Sequence, residues 1–239
     1  MNNAEILTRF TDSKFTASFR VIGIGESTKD VIEAVKSFGY DLSATILTEP
    51  FDCAPTDEDK MAIIVAKDNE DSANRIAKQF HDAGILTIGL LDNADVDCYD
   101  SVATQAEYSE YPGILKAILQ PMYTQGVIAC DFNDLRATLA DSKHFYVKSA
   151  TRCGKERLKS AICDINSALT SSMPKTYQKI LLSLYFNKVG RQPMEMQEMT
   201  ALTEFAKSLP DNVEIIWSVY PDESIKADEI KITILGAGK

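Results

Sequence analysis

Histidine and paired cysteine are scarce in this chain, and their scarcity removes several classes of site. The 239 residues include two histidines and five cysteines, and no two cysteines are spaced as Cys-x-x-Cys. Zinc sites and disulfide frameworks both need such clusters. His144 has no second donor at a metal-binding spacing, so we interpret it as a surface or hydrogen-bonded residue. The sequence therefore predicts no metal site.

Positively charged residues and long apolar runs are also scarce. Lysine and arginine number 25 against 35 aspartates and glutamates, which gives a formal net charge of -10. Because nucleic acid and anionic lipid are polyanions, an acidic protein is a poor partner for either. No stretch approaches the roughly 18 to 20 apolar residues that span a bilayer, and no signal-peptide pattern opens the chain. We expect a cytoplasmic protein that neither binds nucleic acid nor inserts into a membrane.

Apolar runs alternate with amphipathic segments through the first half of the chain. Residues 19–25 form a buried-strand pattern that ends in a glycine turn, and Ser27 or Thr28 can cap the amphipathic helix that follows. Further strands are predicted at 43–48, 61–66 and 84–91, and helices around 4–10 and at 72–83. Strands that alternate with helices predict a doubly wound, Rossmann-like parallel sheet.

The second half of the chain begins with an apolar helix and continues in mixed order. The helix is predicted over 111–124, with Pro112 in its first turn and Pro121 near its end. Helices then follow at 131–140, 154–170 and 195–209, and strands at 144–150, 179–187, 213–219 and 229–235. Trp217, in the third of these strands, is interpreted as core packing.

Two carboxylates, Asp131 and Asp134, stand one helical turn apart at the start of the 131–140 helix. One interpretation is helix capping, with Asp131 as N-cap and Asp134 against the positive end of the helix dipole. The other is chemistry, since a pair of carboxylates on one face can position water or a cation. The motif by itself leaves both open.

The residues around this pair carry a family resemblance. Gly126, Val127 and Ile128, followed by Asp131-Phe132 and Asp134, resemble the FtsZ pattern Gly-Leu-Ile-Asn-x-Asp-Phe-x-Asp, with Ala129 in place of the asparagine. The run that ends at Arg157 resembles the FtsZ run Ala-Ser-Gly-Glu-Asp-Arg. The resemblance implies a tubulin/FtsZ-like fold, divided into a shortened nucleotide-binding-type α/β domain over 1–110, a central helix over 111–125 and a smaller α+β C-terminal domain over 126–239.

The phosphate-binding side of the family pattern is altered. Where FtsZ has the signature loop Gly-Gly-Gly-Thr-Gly-Thr-Gly, this chain has residues 67–74, which include Asp68, Glu70 and Asp71. A carboxylate about 6 Å from a phosphate costs on the order of 3 kcal/mol per unit charge at an effective dielectric near 20. The resemblance therefore implies a degenerate GTP site.

Two functions follow from the resemblance. The first is an FtsZ-like assembly protein, connected with cell division, that associates with itself or with an FtsZ-like filament and needs no cofactor. The alternative is a polymerising GTPase that uses GTP and Mg²⁺. Gly23, Gly25 and the helix beginning near Ser72 would hold its phosphates, and Asp131 and Asp134 of the neighbouring subunit would complete the site.

The glycine turn also permits two further interpretations. The pair Gly23-x-Gly25 lacks a third glycine and is followed by Glu26, so it suits an ordinary turn between a parallel strand and its crossover helix. A small-molecule enzyme on a Rossmann-like sheet would rest on these two glycines alone.

Overall fold

The first half of the chain folds into the predicted parallel sheet. The computed structural model describes residues 18–172, 177–189 and 196–238, and the helix expected around 4–10 lies outside them. Five parallel strands run in the order β2-β1-β3-β4-β5. They are β1 (Phe19–Ile24), β2 (Ser43–Leu47), β3 (Met61–Ala66), β4 (Leu86–Leu90) and β5 (Ser101–Ala103).

Helices cover both faces of this sheet. They are α1 (Lys29–Ser37), which follows a 3₁₀ turn at Glu26–Thr28, α2 (Glu70–Asp82), α3 (Tyr111–Tyr123) and α4 (Phe132–Leu139). Alternate residues of β3 enter different cores. Ile63 and Val65 pack with α1, α3 and α4, whereas Ile64 and Ala66 pack with α2. Burial on both faces explains why this strand is a continuous apolar run.

The second half continues the same sheet in mixed orientation. Its strands are β6 (Lys143–Cys153), β7 (Tyr177–Phe186), β8 (Glu214–Pro221) and β9 (Glu229–Gly238), and its helices are α5 (Arg157–Ser172) and α6 (Met196–Ser208). The order is β6-β9-β7-β8, and β6 pairs parallel with β5. The α/β fold class with a second α+β part agrees with the sequence, while the three domain boundaries remain a prediction.

Two features differ from the sequence expectations. The strand β5 has three residues, and only a 3₁₀ turn at Val96–Cys98 stands between it and β4, where a crossover helix is usual. Trp217 was expected in the core, but its side chain is 42% exposed on β8, an edge strand of the sheet as described. The alternation of apolar residues in β8 correctly predicted that Trp217 lies in a strand. It did not indicate that β8 is an edge strand.

The central helix α3 runs between two opposite edges of the parallel sheet. At its start, Tyr108 reaches the turn after β1, where its hydroxyl oxygen lies 2.7 Å from Ser27 O. At its end, Tyr123 packs against Phe19 at the start of β1 with 6.1 Å between ring centroids, and Phe19 packs against Phe132 at 5.3 Å. We call the side of the sheet where β1 ends, near Ser27, the upper edge, and the side where β1 begins, near Phe19, the lower edge. Both terms refer to the ends of the strands. A six-residue strand separates them by about 20 Å.

No helix in the described ranges is long and apolar enough to cross a membrane.

Candidate functional site

The upper edge contains the crevice where doubly wound sheets bind ligands. The strand order reverses at β1, which has β2 on one side and β3 on the other. Ligands bind outside the carboxyl ends of the strands at such a switch point. The turn after β1 and the loop after β3 meet there, since a Cβ on Gly25 would lie 3.2 Å from Asn69 Nδ2. We call residues 25–28 and 67–72 the upper crevice.

Both glycines of the predicted phosphate turn have structural reasons to be glycine. A Cβ on Gly23 would lie 2.3 Å from Thr28 Oγ1 and 2.8 Å from Ile32 Cγ1, so this glycine lets α1 pack against β1. Gly25 has φ 86° and ψ 160°, a region that is essentially restricted to glycine. The motif is thus explained by backbone and packing without a phosphate.

The helix starts that face the upper crevice are left without side-chain caps. Neither the 3₁₀ turn at Glu26–Thr28 nor α2 receives a cap hydrogen bond from its N-cap side chain. Uncapped first turns can receive an anion on their N–H groups. Ser72 is the third residue of α2, and its amide already donates to Asn69 O at 3.0 Å. The phosphate contact of the Ser72 hydroxyl stays a prediction.

Tyr108 closes one side of the upper crevice. Its hydroxyl lies 2.7 Å from Ser27 O and 2.6 Å from Asp30 Oδ1, so its proton is shared between two acceptors. The Lys67 ammonium stands 4.8 Å from the centre of the Tyr108 ring. Burial, with the hydrogen bond and charge of Asp30, raises the pKa of Tyr108. The phenol therefore stays protonated and links the 3₁₀ turn before α3, Tyr108–Glu110, to α1.

The charge around the upper crevice is unfavourable to a polyphosphate. Lys29 is 3.9 Å from Glu33, and Lys67 lies over Tyr108. Against these stand four carboxylates of the crevice, Glu26, Asp68, Glu70 and Asp71, and the neighbouring Asp30 of α1. A carboxylate about 6 Å from a phosphate costs on the order of 3 kcal/mol per unit charge at an effective dielectric near 20, whereas a helix dipole contributes roughly 0.3 to 1 kcal/mol.

A groove of about 860 Å³ opens beside the crevice, at the carboxyl ends of β4 and β5. Asp92, Gln105, Glu107 and His144 supply its polar groups, above apolar residues such as Val102. His144 is half-buried, and its Nδ1 is buried without a hydrogen-bond partner among the described residues. The groove has the size of a ligand pocket. The short β4–β5 connection exposes it, and the sequence contained no signal for that.

The lower edge carries Asp131 and Asp134, which form a capping box. Asp131 Oδ1 accepts from the amides of Asn133 at 2.8 Å and Asp134 at 3.0 Å, and Asp134 Oδ2 accepts from the Asp131 amide at 3.0 Å. The capping interpretation is confirmed. The second oxygen of each carboxylate accepts no hydrogen bond from the described residues, so each retains a free acceptor.

The loop before this capping box is fixed to β8. Val127 N donates to Val219 O and Val219 N donates to Ile128 O, both at 2.8 Å, and Cys130 N donates to Tyr220 Oη at 2.9 Å. Burial, with the charges of Asp134 and Asp131, raises the pKa of the Cys130 thiol to about 12. That thiol is no nucleophile at neutral pH. Val127 is 69% exposed, so the loop presents an apolar side chain beside the two carboxylates.

The structure thus separates the predicted site residues into two groups. Gly23, Gly25 and Ser72 lie at the upper edge, and Asp131 and Asp134 lie at the lower edge, about 20 Å away. The two groups cannot meet on one ligand within a single chain. Within the described residues, no group of three or more His, Cys, Asp or Glu side chains could hold a metal ion.

The parallel sheet, the central helix and the loop beyond it make up the fold of FtsZ and the tubulin-like proteins, so the chain has an FtsZ/tubulin-like fold. No protein-family model matches it. It is 26% identical over 153 residues to the cell division protein FtsZ of Porphyromonas gingivalis. That match covers 62% of this chain and 30% of the FtsZ chain.

Solved structures share the fold at much lower identity. An empty FtsZ dimer from M. jannaschii matches with a TM-score of 0.70 and 13% identity, over 100% of this chain and 93% of that one. TubZ from Bacillus thuringiensis, in GDP-form protofilaments, matches with a TM-score of 0.60 and 9% identity, over 99% and 90%. CetZ1 from Haloferax volcanii, a GDP-bound monomer, matches with a TM-score of 0.59 and 12% identity, over 93% and 94%.

Replacing Tyr108 with phenylalanine tests its bridging role. The variant loses the contacts to Ser27 O and Asp30, so we expect unfolding to become easier by about 1 kcal/mol, or roughly 2 to 4 °C in Tm. Asp30→Asn keeps a side-chain acceptor and should lose less. Thermal unfolding of both variants gives the comparison, and a Phe variant as stable as the parent would show that the hydroxyl does not bridge.

Proposed function

We propose that this protein is an FtsZ-like assembly protein, connected with cell division, that acts through head-to-tail association with itself or with an FtsZ-like filament and has a degenerate GTP site. The observation that carries the proposal is the placement of the two groups of site residues at opposite edges. A site whose halves lie about 20 Å apart in one chain is completed when the lower edge of one subunit meets the upper edge of the next. Such a contact is heterologous and extends into a filament unless its rotation closes a ring.

The two edges differ in what they offer a partner. The lower edge presents the exposed Val127 side chain and the free oxygens of Asp131 and Asp134, on a loop held by β8. The upper crevice is acidic and is closed by Tyr108. An edge fixed by backbone hydrogen bonds is already ordered before it binds, which lowers the entropy cost of association.

Charge distinguishes the two possible partners. In self-association, Asp131 and Asp134 approach the carboxylates of the upper crevice, at about 3 kcal/mol per pair near 6 Å. Self-association therefore needs a cation or high salt. A partner filament with a basic surface would instead attract the lower edge, and that attraction weakens as salt rises.

The double variant Asp131→Ser, Asp134→Gln removes both charges and keeps the cap. Serine and glutamine are the residues of the ordinary Ser-x-x-Gln capping box, so α4 should keep its first turn. We expect docking on a basic partner filament, and self-association bridged by Mg²⁺, to fall tenfold or more, while Tm changes by no more than a few degrees. Sedimentation velocity across a concentration series measures self-association. Co-sedimentation with FtsZ filaments measures docking on a partner filament.

The control is Asp131→Ala, Asp134→Ala, which removes charge and cap together. It should lose about 1 kcal/mol or more of stability as well as association. If the cap-preserving variant associates as strongly as the parent, alone and with filaments, the lower edge is not the contact. A salt series then assigns the mode, since self-association strengthens with Mg²⁺ or salt and filament docking weakens with salt.

The second candidate function is a GTPase completed between subunits. Its supporting observation is the pair of uncapped helix starts at the upper crevice, which leaves N–H groups for an anion. Calorimetric titration with GTP and GDP in the presence of Mg²⁺ tests it. Micromolar binding, about -8 kcal/mol, together with phosphate release that rises with protein concentration, would favour the GTPase function over the assembly role. The absence of heat at millimolar nucleotide would leave the assembly role.

A further inference from the structure

The strand β8 lies at the edge of the sheet as described, and its outer side is paired over only part of its length. At Val219 the amide donates to Ile128 O at 2.8 Å, so the loop before α4 occupies that end. Backbone groups of alternate residues point to the same side of a strand, so those of Ile215 and Trp217 point outward as well. No described strand pairs with them. We call residues 214–218 the open edge.

The open edge lacks the features that usually prevent strands from pairing. Natural sheets protect exposed edges with charged side chains, proline or a bulge. Residues 215–219 include no charged residue and no proline, and they pair with β7 without a shift in register. Trp217 is 42% exposed there. The open edge therefore has the character of a surface on which another strand adds.

An apolar groove runs along the open edge. It has a volume of about 360 Å³ and lies between Ile215 and Trp217 on β8 and Met199 and Leu202 on α6. A strand that adds to a sheet edge gains backbone hydrogen bonds, and a groove beside the edge receives its alternate side chains. The open edge offers both.

We infer that the open edge is a docking surface for a second copy of this chain, which pairs with it through its own residues 214–218. The pairing is antiparallel, about a two-fold axis at Ile216. The loop before α4 shows that this side of β8 accepts an antiparallel partner, since Ile128 already pairs with Val219 in that sense. In this register Ile215 and Trp217 of opposite copies exchange their outward hydrogen bonds.

The stretch is complementary to itself in sequence and in charge. Ile215 of each copy faces Trp217 of the other, a β-branched and aromatic pair of the kind that stabilises antiparallel strands. Glu214, the acidic residue of the stretch, faces Ser218. The two Glu214 residues stand about 13 Å apart along the strands, beyond the Debye length of about 8 Å at physiological salt. Their charges therefore do not oppose the pairing.

The inference does not rest on the proposed assembly role. A two-fold contact uses each open edge once and stops at a dimer, whereas a head-to-tail contact extends. The upper and lower edges are the two ends of the strands, so antiparallel pairing of β8 places two subunits side by side and pointing in opposite directions.

The first test uses the fluorescence of Trp217, the single tryptophan of the chain. Emission and acrylamide quenching of the full chain are measured over a dilution series at physiological salt without Mg²⁺, and sedimentation velocity is measured in parallel. We expect a dimer to form as concentration rises, with emission at shorter wavelength and weaker quenching. Trp217→Lys should weaken dimerisation about tenfold or more. The matched control is Val189→Lys, beyond the end of β7 and 80% exposed, which should leave it unchanged.

A second test examines the register by cross-linking. The background is Cys153→Ser, Cys163→Ser, which removes the two exposed cysteines. Ile216→Cys places two thiols on the two-fold axis, where opposed Cα atoms stand about 4.5 Å apart, a separation that a disulfide spans. Glu214→Cys is the control, because its two copies lie too far apart to join. Mild oxidation should link the first variant into a dimer and leave the second a monomer.

The cap-preserving variant Asp131→Ser, Asp134→Gln separates this contact from the head-to-tail one. It should form the same dimer with the same change in Trp217 fluorescence, whether or not the lower edge takes part in assembly. Three results would each overturn the inference: a monomer at every concentration, a dimer in which Trp217 is quenched as readily as in the monomer, or a dimer that this variant abolishes. Cross-linking of Glu214→Cys as readily as Ile216→Cys would overturn it as well.

Discussion

Replacing Gly23 with alanine is expected to destabilise the protein by about 3 kcal/mol, with or without nucleotide. The added Cβ would lie 2.3 Å from Thr28 Oγ1 and 2.8 Å from Ile32 Cγ1, in a fully packed contact between β1 and α1. Overpacking of this kind costs roughly 1 to 3 kcal/mol and occasionally more. For a chain of this length the Tm should fall by roughly 6 to 12 °C, which thermal unfolding measures directly.

A double-mutant cycle with Thr28→Ala separates packing from a phosphate role. Thr28 Oγ1 donates to Gly25 O at 2.8 Å, so Thr28→Ala alone should cost about 1 kcal/mol. In the Gly23→Ala background the same change removes the nearest clash, and the double variant should lose less than the sum of the two single losses. A Gly23→Ala protein of unchanged stability that had lost GTP binding would instead assign this glycine to a phosphate.

The sequence predicted the parallel sheet well because its strands carry the pattern that burial imposes. β3 is apolar at every position and buried at every position, and the structure places it at the predicted residues, Met61–Ala66. The strand β5 escaped prediction because three residues cannot display a period. Trp217 was misplaced for a different reason, since an apolar residue in an edge strand gives the same sequence pattern as one in the core.

In the candidate site, the sequence revealed the local features and missed the long-range contacts. Asp131 and Asp134 were identified because capping is local, and the same three-residue spacing serves both a cap and a pair of chemical carboxylates. The contact between Tyr108 and Asp30 joins positions 78 residues apart, so no spacing rule could indicate it. The groove beside β5 is open because the described connection between β4 and β5 contains only a 3₁₀ turn, and a short connection leaves no motif in the sequence.

Replacing Arg157 with methionine should produce the largest loss of stability, about 3 to 5 kcal/mol. The Arg157 side chain is 3% exposed, and its Nε and Nη2 donate to the two carboxylate oxygens of Glu198 at 2.9 and 3.3 Å. Its Nη1 donates to Asp228 O at 3.0 Å. One guanidinium therefore ties the start of α5 to α6 and to the turn before β9.

The cost of this change arises chiefly from what it leaves behind. Glu198, 11% exposed, would lose its bidentate partner, and a buried carboxylate without that partner is strongly unfavourable. Arg157→Lys keeps the charge but not the planar fork, so it should lose an intermediate amount. Urea unfolding compares the three proteins on one scale.

A third variant identifies the origin of the loss. Arg157→Met combined with Glu198→Leu removes the carboxylate together with its partner, and replacement of a whole buried ion pair by apolar side chains is often neutral. We therefore expect the double variant to recover most of the stability lost by Arg157→Met. If it is no more stable than the single variant, the guanidinium acts mainly through Asp228 O and its packing. In either case Arg157, the last residue of the run that resembles an FtsZ run, holds α5 against α6 and the turn before β9.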